Sequence, residues 1–515
     1  MPLVSEFLCE RLGNAGVKHI FGVQGPYINN FLDVISQSDR IKFISNTDES
    51  HAGFAANAYA RFNGIGCVCA TYNVGALKLC NSVAGAYAER SPVVIIGGSP
   101  GMKDRNKDFL SNHLVESFSS QKEMFDHITA HSVVLDNATT AGWKIDNALN
   151  ILKETKQPVY IEIPRDVASQ PIKYDVYTQG TPNNDKSDGA SLKEAIEDVS
   201  SYLKSSKNPV IIMGVQITRF NLEDSLIKFA EKHNIPIVTT FLSKSSICET
   251  HPLFSGVYFG EQTRNLEVKN RVESSDCLLI FGEMLTDTGF GFVTPKFDNS
   301  NTIFCSIENL RVKNHIYCGI RFIDFCKDFF RIDLGKKEFV SSTKSNRTKF
   351  VPIEGQGISL KRFFEKLNSI LDENFVVLAD IGEYMLDAAE LVVPHHRFIS
   401  SAFYCSTGLA LPGAMSVQLL NAGIRPLVVV SEDSFQTSSM EISTLVQNNL
   451  NPIILVINQK KNSIKSWNYE KICDTIGGVG YLVNDETELD NAINACLKKK
   501  SLSVINVVLD VSSQV

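Results

Sequence analysis

The stretch from Pro426 to Trp467, PLVVVSEDSFQTSSMEISTLVQNNLNPIILVINQKKNSIKSW, decides the fold. Two apolar runs, Leu427 to Val430 and Ile453 to Ile457, read as buried strands, and the segment between them carries Met440, Ile442, Leu445 and Val446 at helical spacing. The helix is expected to open near Ser434. Strand, helix and strand make a βαβ unit. Parallel strands of this kind bind ligands beyond their carboxyl ends, where helix N-termini offer unpaired amides to phosphates.

The same rhythm runs outward in three blocks. Residues 1–175 alternate helical patterns with the strands HIFGV, KFIS, GCVCATY, PVVIIG and PVYIEI, and end at a polar linker from Thr178 to Ser191. Residues 192–335 carry PVIIMG, PIVTT, CLLIFG and TIFCSI, and a second polar segment, Lys336 to Gly355, leads to residues 356–515 with VVLAD, RFISS, PLVVVSE, PIILVIN and SVINVVLD. Strands alternating with helices imply parallel sheets covered on both faces, so the expected fold class is α/β with three doubly wound parallel-sheet domains.

Composition limits the functions open to the chain. With 515 residues, 43% of them hydrophobic, and a net charge of -7, it has apolar surface for full cores and no basic stripe for nucleic acid. Small molecules and protein partners are the expectation. Glu6, Glu10, Arg11 and Lys18 interrupt any signal-peptide core, while Val4, Phe7, Leu8 and Leu12 mark an amphipathic helix. No apolar run approaches the roughly 18 residues that cross a bilayer, so no membrane association and a cytoplasmic location are expected. The 12 cysteines are scattered singly, apart from Cys67 and Cys69 on one strand face, and read as reduced core thiols.

Several segments carry chemistry: DESHAGFAANAYARFNG from Asp48, TYNVGAL from Thr71, NSVAGAYAE from Asn81, Asp380-Ile381-Gly382-Glu383, Tyr404-Cys405-Ser406-Thr407-Gly408, Ser431-Glu432-Asp433 and Asn458-Gln459. Over nearly the whole chain they resemble the thiamine diphosphate dependent 2-oxo acid decarboxylases, the group of the pyruvate, indolepyruvate and phenylpyruvate decarboxylases. The resemblance implies pyrimidine-binding, middle and diphosphate-binding domains, with thiamine diphosphate and magnesium as cofactors. It also implies a homodimer at least, within a homotetramer, because the pyrimidine domain of one subunit meets the diphosphate domain of another.

Roles follow from the resemblance position by position. Glu49 would bond a ring nitrogen of the aminopyrimidine and activate the cofactor. Thr71 and Gly75 would lie beside that ring, the Cys405 carbonyl would accept from its amino group, and Thr407 would stand where a larger aliphatic residue usually props the cofactor. Gly382, Glu383, Glu432, Asp433 and Ser434 would face the diphosphate, with Glu432 and Gln459 as metal ligands.

The departures are as informative. The family's Gly-Asp-Gly is Ser431-Glu432-Asp433 here and its Asn-Asn is Asn458-Gln459, so each metal-ligand side chain is longer by one methylene. Magnesium demands near-ideal octahedral geometry at short distances, which makes these changes far from conservative. The family's acid/base Asp, His pair and Glu are matched by Pro26, Asn112-His113 and Lys465, leaving His113 as the surviving catalytic candidate. The segment that covers the metal in relatives is shortened, since Trp467-Asn468-Tyr469 follows Lys465 at once. Lys460, Lys461 and Lys465 allow two outcomes. They neutralise the diphosphate in place of magnesium, or they pair with Glu432 and Asp433 and fill the pocket.

Two classes of function therefore stay open: a thiamine diphosphate dependent C–C lyase or carboligase acting on a 2-oxo acid or aldehyde, and a binding or regulatory subunit that has lost cofactor and metal. A thiamine-independent reaction in the same cleft is a third. Gly282-Glu283-Met284 and Asp287-Thr288-Gly289 resemble nucleotide loops of distant relatives, but glycine after a strand is chiefly a turn device, and His395-His396 reads as surface.

Overall fold

The computed structural model describes residues 1–105, 110–172, 186–290, 297–339, 349–459 and 466–510. Much of the linker read from Thr178 onward, and Lys460, Lys461 and Lys465, lie outside the described residues.

Strands β1 (His19–Gly22), β2 (Lys42–Ser45), β3 (Gly66–Ala70), β4 (Val93–Ser99), β5 (His131–Val134) and β6 (Val159–Pro164) form a sheet in the order β2-β1-β3-β4-β6-β5. Every pairing in it is parallel. β7 (Pro209–Met213), β8 (Ile237–Thr239), β9 (Phe254–Val257), β10 (Cys277–Phe281), β11 (Thr302–Cys305), β12 (Leu310–Val312) and β13 (His315–Tyr317) give the order β13-β12-β11-β10-β7-β8-β9. Its last two pairings, β11 with β12 and β12 with β13, are antiparallel.

The third set is β14 (Phe375–Ala379), β15 (Phe398–Ser400), β16 (Arg425–Ser431), β17 (Ile453–Asn458), β18 (Val479–Val483) and β19 (Ser503–Val508), with β14-β16-β17-β19-β18 as consecutive neighbours. The three sheets are parallel-dominated and clad by helices, the α/β class expected from the alternation. The chain forms two compact units. One is Met1–Asn183 with Val377–Ile381 and Tyr404–Val511, and it holds the first sheet and most of the third; the other contains Asn184–Val376 and Gly382–Phe403.

Central strands declare themselves because both faces are covered: β3, β4, β6, β7, β10 and β17 are buried at every position. Cys67 and Cys69 share one core with Val94, Ile96 and Ile161, as alternation along β3 requires. Strands that no apolar run marked are β5, β9, β18 and the β12–β13 hairpin. β5 and β18 lie at sheet edges, and neither is buried throughout.

The helix after β16 opens near Ser434 as expected, at Glu432, where the Ser431 side chain caps it by accepting from the Ser434 amide at 3.3 Å. Three expectations are corrected. The helix divides into Glu432–Ser438 and Glu441–Gln447, leaving Met440 68% exposed while Ile442 and Leu445 are buried. The Thr437 and Ser438 hydroxyls both bond the Ser434 carbonyl, competing with the helix ladder at the break. Not all cysteines are core thiols: Cys80, Cys248 and Cys405 are half-buried and Cys318 is exposed. His395 and His396 are half-buried rather than surface residues, for a reason taken up below.

Candidate active site

The helix Glu49–Asn63 opens after Asp48, whose carboxylate accepts from the Ser50 amide at 2.8 Å. Its small residues let a second helix, Ala410–Leu420, come close: a Cβ on Gly413 would stand 2.9 Å from the Ala58 Cβ. The Ser416 hydroxyl donates to the Ala55 carbonyl at 2.6 Å across the same contact. This packing holds Glu49 in place. Its carboxylate is 7% exposed, and a Cβ on Gly75 would fall 2.7 Å from Glu49 Oε1 and 3.2 Å from Thr71 Cγ2. Glu49, Thr71 and Gly75 are thus brought together, and only glycine at 75 leaves space beside the carboxylate.

A cation that the sequence reading missed joins them. Lys78 Nζ lies 3.1 Å from Glu49 Oε2 and 2.8 Å from Asp48 Oδ2, and the two carboxylates raise its pKa. The signal was present, since Lys78 follows Gly75 by one turn of the short helix Ala76–Leu79. At half exposure its contribution to stability is small.

His113 belongs to the same block but not to this cluster. Its carbonyl accepts from Asn73 Nδ2 at 2.7 Å, its ring stands edge-on to Tyr27 at 5.9 Å, and its Nδ1 is buried without a hydrogen-bond partner. Pro26 and Asn112, the positions where acid/base groups were sought, are exposed.

Asp380, at the end of β14, is fully buried and organises the third block. It accepts from the amides of Gly408, Leu409 and Ala410 at 2.9, 3.0 and 2.8 Å, and from the Ser434 hydroxyl. One carboxylate thereby ties the helix after β16 to the start of Ala410–Leu420. Cys405 adopts φ +56°, unusual for a side chain with a Cβ, and Thr407 is exposed. Gly382 and Glu383 fall in the other compact unit.

Glu432 is 7% exposed, and its Oε1 accepts from Ser466 Oγ at 2.7 Å and Tyr469 Oη at 3.1 Å. Asp433 beside it is exposed, and Gln459 is half-buried at the end of β17. Asn458 turns its amide to Asn506 at 3.1 Å and to Ser466 at 3.3 Å. The buried Glu49 carboxylate beside Gly75 is a group that the aminopyrimidine end of thiamine diphosphate would use. The donors at 432 and 459 do not match magnesium in the same way, because the one carboxylate is engaged by two hydroxyls and the amide is a longer arm than compact octahedral coordination takes.

Glu441, also missed in the sequence, fixes the turn before Glu49. Its carboxylate, 1% exposed, accepts from Asn46 Nδ2 at 3.0 Å and the Thr47 amide at 2.8 Å, and lies 3.3 Å from His51 Nδ1, an ion pair rather than a well-aligned hydrogen bond. Burial alone would lower the His51 pKa, but Glu441, with Asp48 and the Thr437 carbonyl, raises it. Burial would likewise raise Glu441, yet His51, Thr47 and Asn46 hold it below the usual carboxylate range. The His51 share is complete below its unfolded value of about 6.5 and is lost as pH rises through the raised folded value; the Glu441 share is complete above about 4.3 and is lost as pH falls through the depressed one. His51→Gln should therefore destabilise the chain by about 1–2 kcal/mol near pH 5.5 and by much less above pH 8, in urea unfolding at the two values.

Comparison with known proteins agrees with this geometry. Family models described as thiamine pyrophosphate enzyme match the chain in three parts: the N-terminal TPP binding domain at residues 3–124, the central domain at 196–330 and the C-terminal TPP binding domain at 380–507. A probable pyruvate decarboxylase of Schizosaccharomyces pombe is 28% identical over 95% of this chain and 90% of its own length. Indole-3-pyruvate decarboxylase of Azospirillum brasilense is 26% identical over 95% and 92%, and pyruvate decarboxylase isozyme 1 of Saccharomyces cerevisiae 25% over 98% and 96%. The chain belongs to the thiamine diphosphate dependent enzymes of the decarboxylase-like group, and it carries both of that family's cofactor-binding domains. No helix among the described residues is long and apolar enough to cross a membrane.

Proposed function

We propose that this chain is a thiamine diphosphate dependent C–C lyase or carboligase acting on a 2-oxo acid or an aldehyde, with a diphosphate site that depends little on magnesium. The observation that carries the reading is the contrast between two acids. Glu49 is buried beside the glycine-lined space at Gly75, whereas Glu432 is already engaged by Ser466 and Tyr469.

Thiamine diphosphate, when bound, would supply a nucleophilic ring carbon for a carbonyl and a cationic ring that serves as the electron sink for C–C cleavage. Glu49 would hold the aminopyrimidine ring of the cofactor through a proton on its carboxylate. Lys78, 3.1 Å from Glu49 Oε2, pairs with that carboxylate and would remain on Asp48, 2.8 Å away, once the ring is bound. Asp380 fixes the backbone from Gly408 to Ala410, and with it the loop from Cys405 to Thr407. Proton delivery to product falls to His113 or to solvent, since Pro26 and Asn112 carry no acid, and this favours carboligation or a slow lyase cycle over rapid decarboxylation.

A homodimer, within a homotetramer, is part of the proposal, as is a cytoplasmic location. Lys460 and Lys461 are proposed as the charges that replace magnesium at the diphosphate. Calorimetric titration with thiamine diphosphate tests it: affinity with magnesium and with a chelator should agree within about tenfold. No binding in either condition overturns the proposal and favours the cofactor-free binding subunit, for which Glu432, satisfied by its own chain, is the supporting feature.

A further inference from the structure

Outside the region of Glu49 and Glu432, one cluster of metal-ligating side chains stands apart, in the other compact unit. Glu223, His395 and His396 are the one such trio of His, Cys, Asp or Glu among the described residues, with one donor atom from each lying within 4.8 Å of the others. Consecutive side chains on an extended chain point to opposite sides, so two adjacent histidines do not ordinarily converge. Here they do. His396 adopts φ +55°, and the two imidazoles lie tilted against each other with centroids 3.9 Å apart.

The backbone is pinned in that shape. The His396 amide donates to the Ser245 carbonyl at 2.8 Å and the Phe398 amide to the Ser245 hydroxyl at 3.1 Å. Glu223, 8% exposed at the side chain, opens the helix Glu223–His233 and brings Oε1 to 3.3 Å from His396 Nε2. His395 Nε2 is buried and has no hydrogen-bond partner. A buried imidazole nitrogen without a partner is the kind of donor that a bound metal ion satisfies.

We infer that Glu223, His395 and His396 form a binding site for a divalent transition-metal ion of the zinc class, clipping the helix Glu223–His233 to the segment that leads into β15. Two imidazoles and a carboxylate are a donor set that zinc accepts, with a fourth position left for water. Donors around a tetrahedral ion at ~2.0–2.2 Å stand roughly 3.3–3.6 Å apart, so closure by about an ångström completes the site. Small rotations of the Glu223 carboxylate and the two imidazoles would supply that movement. Hard ions such as magnesium are disfavoured by the imidazoles.

The test uses the full chain without thiamine diphosphate, titrated with zinc against a chromophoric chelator and with cobalt(II) followed by its visible spectrum. The wild type should bind a single tight ion per chain, with a nitrogen- and oxygen-type cobalt spectrum and a raised melting temperature. Glu223→Gln and His395→Gln should each weaken binding by roughly 10- to 100-fold or more and abolish the thermal shift. Glu223→Gln keeps the side-chain size, so its unliganded melting temperature reports whether it folds. Unchanged affinity in both folded variants, a thiolate-to-cobalt charge-transfer band, or no tight ion in the wild type would each overturn the inference.

Discussion

Replacing Glu49 by Gln is expected to slow exchange of the acidic thiazolium proton of bound thiamine diphosphate, and turnover with it, by ~10²–10⁴-fold, the range for loss of a positioned acid/base group. The carboxylate is 7% exposed and lies against the glycine turn at 75, so the amide fits the same space. What it cannot do is share a proton with a ring nitrogen. Cofactor affinity should fall far less than the rate, because a neutral amide still donates one hydrogen bond there. The glutamine also leaves Lys78 paired only with Asp48, a small change at a half-exposed ammonium. Proton exchange followed by NMR separates the two effects, since it needs no substrate. An unchanged exchange rate would remove Glu49 from the chemistry.

The largest structural effect belongs to Asp380. Asp380→Ala strips the partner from three buried amides and from the Ser434 hydroxyl at once, and a lost buried charge network of this kind costs about 3–5 kcal/mol. Asp380→Asn should cost nearly as much, because its NH2 group has to face a donor that the second carboxylate oxygen now satisfies. Urea unfolding should show the loss in the transition of the unit containing β14, β16 and β17, together with weaker thiamine diphosphate binding. A loss under about 1 kcal/mol would mean that water replaces the carboxylate.

Much of the α/β class was legible because its central strands are continuous apolar runs. The edge strands β5 and β18 were not, since an edge needs no continuous apolar run and Ser132, Gly480 and Tyr481 make none. Glu49 was readable at the sequence level as an acid opening an alanine-rich helix. Lys78 looked like one lysine among many, and Glu441 is nearly 400 residues from the turn it holds. The same distance problem hid Glu223 from His395 and His396, whose burial depends on a partner no local pattern announces. Met440 misled because helical spacing continues through a Thr-Ser-Ser run that the hydroxyls break. Asp433 was sought at the diphosphate and is exposed, while Ser466 and Tyr469, the groups that do engage Glu432, follow directly on a segment read mainly for its lysines.

The most direct measurement is consumption of a panel of aliphatic and aromatic 2-oxo acids, alone and with an acceptor aldehyde, with thiamine diphosphate present or omitted and with magnesium or a chelator. The account predicts turnover that requires thiamine diphosphate and that persists within about tenfold when magnesium is removed. Bound thiamine diphosphate with no carbon–carbon bond broken or formed in any arm, or turnover that vanishes with the metal, would contradict it.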